Sequence, residues 1–135
     1  MNANERKRLW RAKTQNAATK KYERTKPGKL MRIYRNMQSR IRGVQKHKAH
    51  LYKGKALLPR SEFYEWALAS PVFHLLFSEW EAAGHDRKLS PTVDRIDPEL
   101  GYEISNMEWV THSENSRRGG KYRPSQALTN SRMVK

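Results

Sequence analysis

Residues 92–118 read TVDRIDPELGYEISNMEWVTHSENSRR. Two runs in it suit short strands. The first has its body at Thr92 to Ile96 and is limited by Pro91 and Pro98. The second runs from Met107 to Thr111, where Trp109, Val110 and Thr111 favour a pleated backbone. DPELGYEISN between them is a loop with turn residues. Ser113 to Arg117 can begin a helix, which Gly119-Gly120 stops. The order strand, loop, strand, helix brings Asp94 near a helix residue such as Asn115.

The same stretch holds two acids three residues apart, Asp94 and Asp97. On a continuous strand that spacing sends them to opposite faces. Pro98 makes the strand end before Asp97. Asp97 is then left to fix Arg95, cap the loop or assist a cation, with a structural role favoured.

Charge is segregated along the chain. The 135 residues carry 28 Lys+Arg against 13 Asp+Glu, a formal net charge of +15. Residues 1–60 hold 19 basic and 2 acidic side chains, residues 61–110 hold 3 and 10, and residues 111–135 hold 6 and 1. Solubility needs nothing of this size, so a polyanion is the expected partner. The acidic middle suits a compact body that holds a cation. Cysteine is absent, which excludes disulfides and thiolate-bound zinc. No apolar run reaches the roughly 18 residues a membrane span needs, and the basic start has no apolar segment behind it.

Upstream, residues 1–28 are expected to form a basic arm, weakly ordered alone and broken by Pro27-Gly28. Leu30, Ile33, Tyr34, Met37, Ile41 and Val44 recur at helical spacing, with Lys29, Arg32, Arg35, Arg40, Arg42 and Lys46 on the other faces. Gly43 is a plausible stop. Leu51-Tyr52 and Leu57-Leu58 are expected to be buried pegs in a short connection. Ser61 is a cap candidate for one helix. Ser70-Pro71 starts another, with Val72, Phe73, Leu76, Trp80 and Ala83 on its inner face and Gly84 at its end. Trp66 and Trp80 are read as core anchors. His47, His50, His74 and His85 are read as polar surface or edge residues.

VDRID, the loop with Gly101-Tyr102, and NMEWVTHSEN together resemble the HNH endonucleases, in particular the phage and homing-type members. The close resemblance covers about 30 residues; residues 30–84 resemble the helical part of small phage-encoded members more loosely. It implies an α+β fold in which a small ββα-metal unit follows basic and amphipathic helices. The expected organisation is an arm at 1–28, a helical region at 29–84, the ββα-metal unit at 85–123 and a loose tail at 124–135.

The resemblance further implies a phosphodiester-cutting enzyme that grips one divalent cation. Asp94 matches the family's metal-binding acid, Asn115 the helix residue that completes the metal site, and Asn106 the central asparagine that braces the loop. Oxygen donors of this kind suit Mg²⁺ or Mn²⁺. Arg95 stands where the family usually has its catalytic histidine, and an arginine stays protonated and is a poor base. Three readings follow. His112 or Asp97 activates water while Arg95 holds the phosphate or stabilises its charge; or metal and DNA binding persist with little or no cutting; or hydroxide comes from bulk. Arg32, Arg35, Arg40, Arg42, Lys46, Arg117, Arg118 and Lys121 are the expected contacts to double-stranded DNA, with Arg123 beyond them.

One metal site implies nicking of one strand, and cutting both needs a dimer or sequential events. Monomer and homodimer are both open. No membrane partner is expected, and the cytoplasm of a phage-infected bacterial cell is the expected location. The rival readings are a non-catalytic DNA-binding protein and an accessory factor of a phage DNA-packaging or replication machine on the same fold.

Overall fold

The computed structural model describes residues 2–44 and 46–118. Gly119-Gly120, Lys121, Arg123 and the tail at 124–135 lie outside the described residues. The chain divides into two compact units, Met1–Arg32 and Ile33–Lys135.

The first unit is mainly α1 (Ala3–Glu23), capped by the Asn2 side chain, which accepts from the Glu5 N–H at 2.8 Å. Ala, Lys and Arg are strong helix formers, so local propensity carries this helix. Among its described residues none is buried, and Leu9 and Trp10 are 51% and 67% exposed. Pro27-Gly28 does not break a helix as the sequence suggests. The interruption falls at Arg24-Thr25, and α2 (Lys26–Arg42) already contains both residues. The reason is local. Pro27 sits in the first turn, where no N–H is needed, and the Thr25 hydroxyl accepts from the Gly28 N–H at 3.2 Å. A side chain at Gly28 would collide with the Tyr22 carbonyl oxygen, 1.9 Å from an added Cβ.

Along α2 the residues Leu30, Ile33, Tyr34 and Met37 are buried. The helix ends at Gly43, whose φ of +74° suits glycine. Val44 therefore falls beyond the stop and is 66% exposed, outside the apolar face expected for it. A short 3-10 turn and α3 (Ala49–Tyr52) follow. Leu58 is buried and Tyr52 and Leu57 are half-buried, but Leu51 is exposed, since it lies on the outer side of this one-turn helix.

The Ser61 cap is not made: α4 (Arg60–Leu68) starts two residues earlier than that cap implies, behind Pro59, with no side-chain cap. Ser70 does cap α5 (Pro71–Ala82), accepting from the Phe73 N–H at 3.4 Å. The inner face of α5 is Phe73, Phe77 and Trp80, with Leu76 half-buried. Val72 and Ala83 are exposed instead, because the stripe of spacing four and three begins at Phe73.

Two antiparallel strands follow, β1 (Pro91–Arg95) and β2 (Met107–Thr111), and α6 (His112–Arg118) leaves β2 directly. Pro91 pairs with Thr111, Val93 with Trp109, Asp94 with Glu108 and Arg95 with Met107. β1 thus sits one residue earlier than the sequence suggests, while β2 is as expected. The whole is a small α+β arrangement in which helices precede a strand–strand–helix hairpin.

One face of the sheet meets the helical layer through Trp109. Its ring centroid lies 4.7 Å from Phe73, 5.4 Å from Trp66 and 6.3 Å from Phe63. Trp66 stacks on it nearly parallel, at 14°. Such offset contacts add to the apolar area each ring buries. Trp109→Ala should destabilise the protein by about 3–5 kcal/mol in urea unfolding. Val72→Ala, on the exposed side of α5, should stay within about 0.5 kcal/mol of wild type.

Candidate metal and nucleic-acid site

β1 is regular through Arg95, so neighbouring side chains point to opposite faces. Asp94 lies on the face that α6 covers. Arg95 lies on the other, with Val93. Arg95 is buried, and its Nη1 donates to the carbonyls of Leu51, Pro98 and Leu100 at 3.1, 2.9 and 2.9 Å. The guanidinium also rests 4.1 Å from the centroid of Tyr52. In this arrangement Arg95 staples the loop after β1 to α3 and does not face Asp94.

Other side chains grip the same loop. Asn106 Nδ2 donates to the carbonyls of Asp97 and Gly101 at 3.0 and 2.8 Å, and its Oδ1 accepts from the Asp97 N–H at 2.8 Å. These bonds brace the loop. Lys55 Nζ donates to the Pro98 carbonyl at 2.7 Å. Asp97 lies past the strand end, and its Oδ1 accepts from the Glu99 N–H at 2.9 Å, which caps the turn. Gly101 approaches Ala56 so closely that an added Cβ would lie 2.2 Å from the Ala56 oxygen. Tyr102 and Leu57 form a parallel bridge there.

On the α6 face, Asp94 stands directly opposite Glu108. Like charges in that position repel. Arg118 answers this: it donates to Asp94 Oδ2 at 3.1 Å and to Glu108 Oε1, and its Nε donates to Glu114 Oε1 at 2.9 Å. Burial works against the charged guanidinium, but the hydrogen bonds to Glu114, Glu108 and Asp94 raise its pKa further above the ordinary arginine value. Glu114 also takes two hydrogen bonds from Arg117, and Arg117 and Arg118 together hold its carboxyl below the usual range.

Asn115 is half-buried and lies one helical turn before Arg118, on a neighbouring part of the helix surface. His112 opens α6 and is half-buried, its N–H bonded to the Ser90 carbonyl at 2.8 Å. Because Thr111 pairs with Pro91, His112 begins at the opposite end of the strand pair from Asp94. Three strand residues span roughly 10 Å.

Asp94 and Asn115 carry hard oxygen donors of the type Mg²⁺ or Mn²⁺ takes. Among the described residues, no three His, Cys, Asp or Glu side chains are grouped to hold a metal ion by themselves. The three acids meet through Arg118.

The cations expected on DNA divide into two groups. Arg32, Arg35, Arg42, Lys46 and Arg117 are exposed, Arg32 beside Glu23 at 3.2 Å. Arg40 and Arg118 turn inward. Arg40 donates to Tyr102 Oη at 3.1 Å and lies 5.6 Å from the Tyr52 ring centroid. Sequence reasoning did not single out Glu108 or Glu114, and it read Tyr52 as a buried peg and Tyr102 as part of the loop without pairing either with an arginine. The two strands expected from the sequence, aligned end to end, put Trp109 opposite Asp94; the one-residue shift of β1 brings Glu108 there instead.

Asn106→Ala should cost about 1–3 kcal/mol or more, because it strips partners from several loop groups at once. Hydrogen exchange should rise first at the Asp97 amide. Burial raises the pKa of Tyr102 above its ordinary value, with Arg40 opposing. That contribution to stability is complete below the tyrosine pKa of the unfolded chain and fades as pH rises towards the folded one. Alkaline unfolding curves of wild type and Tyr102→Phe should therefore converge in slope only below about pH 9. No described helix is long and apolar enough to cross a membrane. No family model, curated protein or solved structure matches the chain.

Proposed function

We propose that this chain is a metal-dependent DNA endonuclease of the HNH type, nicking one strand per site. One observation carries the reading. A strand–loop–strand–helix hairpin, with its loop braced by Asn106, sets Asp94 under α6 in a chain of net charge +15.

Asp94 and Asn115 would hold one Mg²⁺ or Mn²⁺. When bound, the cation supplies charge neutralisation at a phosphate oxygen and the departing 3′ oxygen. The rest falls to the chain itself. Exposed Arg35, Arg42, Lys46 and Arg117 attract the phosphates, an effect that salt weakens. Asn106 fixes the loop and so the end of β1. His112, three residues before Asn115 in sequence, is the candidate to take a proton from water. Arg95 is the scaffold of the loop rather than the group that meets the phosphate.

A DNA-binding protein without cutting activity is the second reading. Two placements favour it: Arg95 faces away from Asp94, and Asp94 is engaged by Arg118.

Supercoiled plasmid incubated with Mg²⁺, Mn²⁺ or EDTA separates the two. The endonuclease reading expects metal-dependent nicked circles that vanish with Asp94→Ala while DNA binding persists. His112→Ala should lower the rate by about 10²-fold or more. Absence of nicking at any protein excess, with binding intact, sinks the enzyme and leaves the binder.

A further inference from the structure

Arg118 is placed as a cation would be. Its guanidinium reaches three carboxylates on three elements: Asp94 on β1, Glu108 on β2 and Glu114 on α6. Its side chain is 9% exposed, as is that of Asp94. The strand register makes such a group necessary, because Asp94 and Glu108 face each other across the ladder. The tie to Glu114 lies within one helix, four residues apart, so it persists if the guanidinium leaves the sheet.

We propose that Arg118 is the resident counter-ion of the Asp94 site and the residue that sets its affinity for a divalent cation. This rests on the reading of Asp94 as a metal ligand. Without metal, Arg118 neutralises Asp94 and Glu108. Arg118 holds Asp94 Oδ2, and its positive charge opposes a dication on the same carboxylate, so tight binding of the metal draws the guanidinium away. The guanidinium keeps its bond to Glu114 and moves to the outer side of α6, beside Arg117. Arg118 is thus a positioning residue whose competition weakens metal binding and keeps the hairpin closed in the free protein.

The test is direct binding of Mn²⁺, followed by electron paramagnetic resonance, with the Mn²⁺-induced change in Tm as a second readout. Wild type, Arg118→Met, Arg118→Lys and Asp94→Asn are compared. Arg118→Met should bind Mn²⁺ about tenfold more tightly than wild type or better, because a neighbouring cation shifts a carboxylate's charge-binding equilibria by a factor of that order. It should also melt lower without metal and gain more from Mn²⁺. Arg118→Lys should fall between the two. Asp94→Asn should abolish the site.

If Arg118→Met is unfolded without metal, added Mn²⁺ should restore its helical circular dichroism, and failure to do so overturns the proposal. Equal or weaker Mn²⁺ binding by folded Arg118→Met also overturns it, while the metal reading of Asp94 stands. Absence of Mn²⁺ binding in every variant and in wild type removes both. Unchanged binding in Asp94→Asn overturns the proposal by moving the ion elsewhere.

Discussion

The alternation of a pleated strand governs this hairpin. Two adjacent residues on β1 cannot share a site, so Asp94 and Arg95 belong to different layers of the molecule. Everything nearby follows from that separation. On one side the strand offers an acid to α6. On the other it offers a long cation to α3 and the loop. The same dipeptide therefore helps to hold the hairpin from both faces.

Each face resolves its charge differently. Arg95 is buried, and among the described residues no carboxylate pairs with it. It is stabilised by three carbonyl dipoles and by the electron-rich face of Tyr52. One guanidinium thus serves the carbonyls of Leu51, Pro98 and Leu100 together. On the opposite face the problem is excess negative charge, and Arg118 answers it with charge-assisted hydrogen bonds. The acidic middle of the chain is thus locally matched by one basic residue drawn from its C-terminal end.

Much of this was legible from residue types. Met107–Thr111 announced its strand through Trp109 and Val110, and Ser70-Pro71 announced a helix start through chemistry confined to one turn. Asn106 was given a bracing role only by resemblance, and its amide both donates and accepts in the loop. The misses share a cause. Pro27-Gly28 reads as a break locally, yet Thr25 supplies a cap that makes it a beginning. Val44 fits the helical period but lies beyond Gly43. Arg40 and Arg118 look like surface cations until Tyr102 and the three acids are brought up by distant segments. Sequence spacing on a single element cannot show a partner contributed by another.

The docking of the loop against Ala56 has a consequence for modularity. Arg95 and Lys55 tie the loop to groups more than forty positions away along the chain, and Leu57 bridges to Tyr102. The hairpin therefore borrows part of its framework from the helical segment before it. It is not a cassette that can be lifted out and grafted onto another scaffold. A transplanted copy would carry the acid and the helix but leave their geometry behind. Closing such long-range contacts also exacts loop-closure entropy before they stabilise anything, so the hairpin should take its final form late in folding, after the helices have gathered.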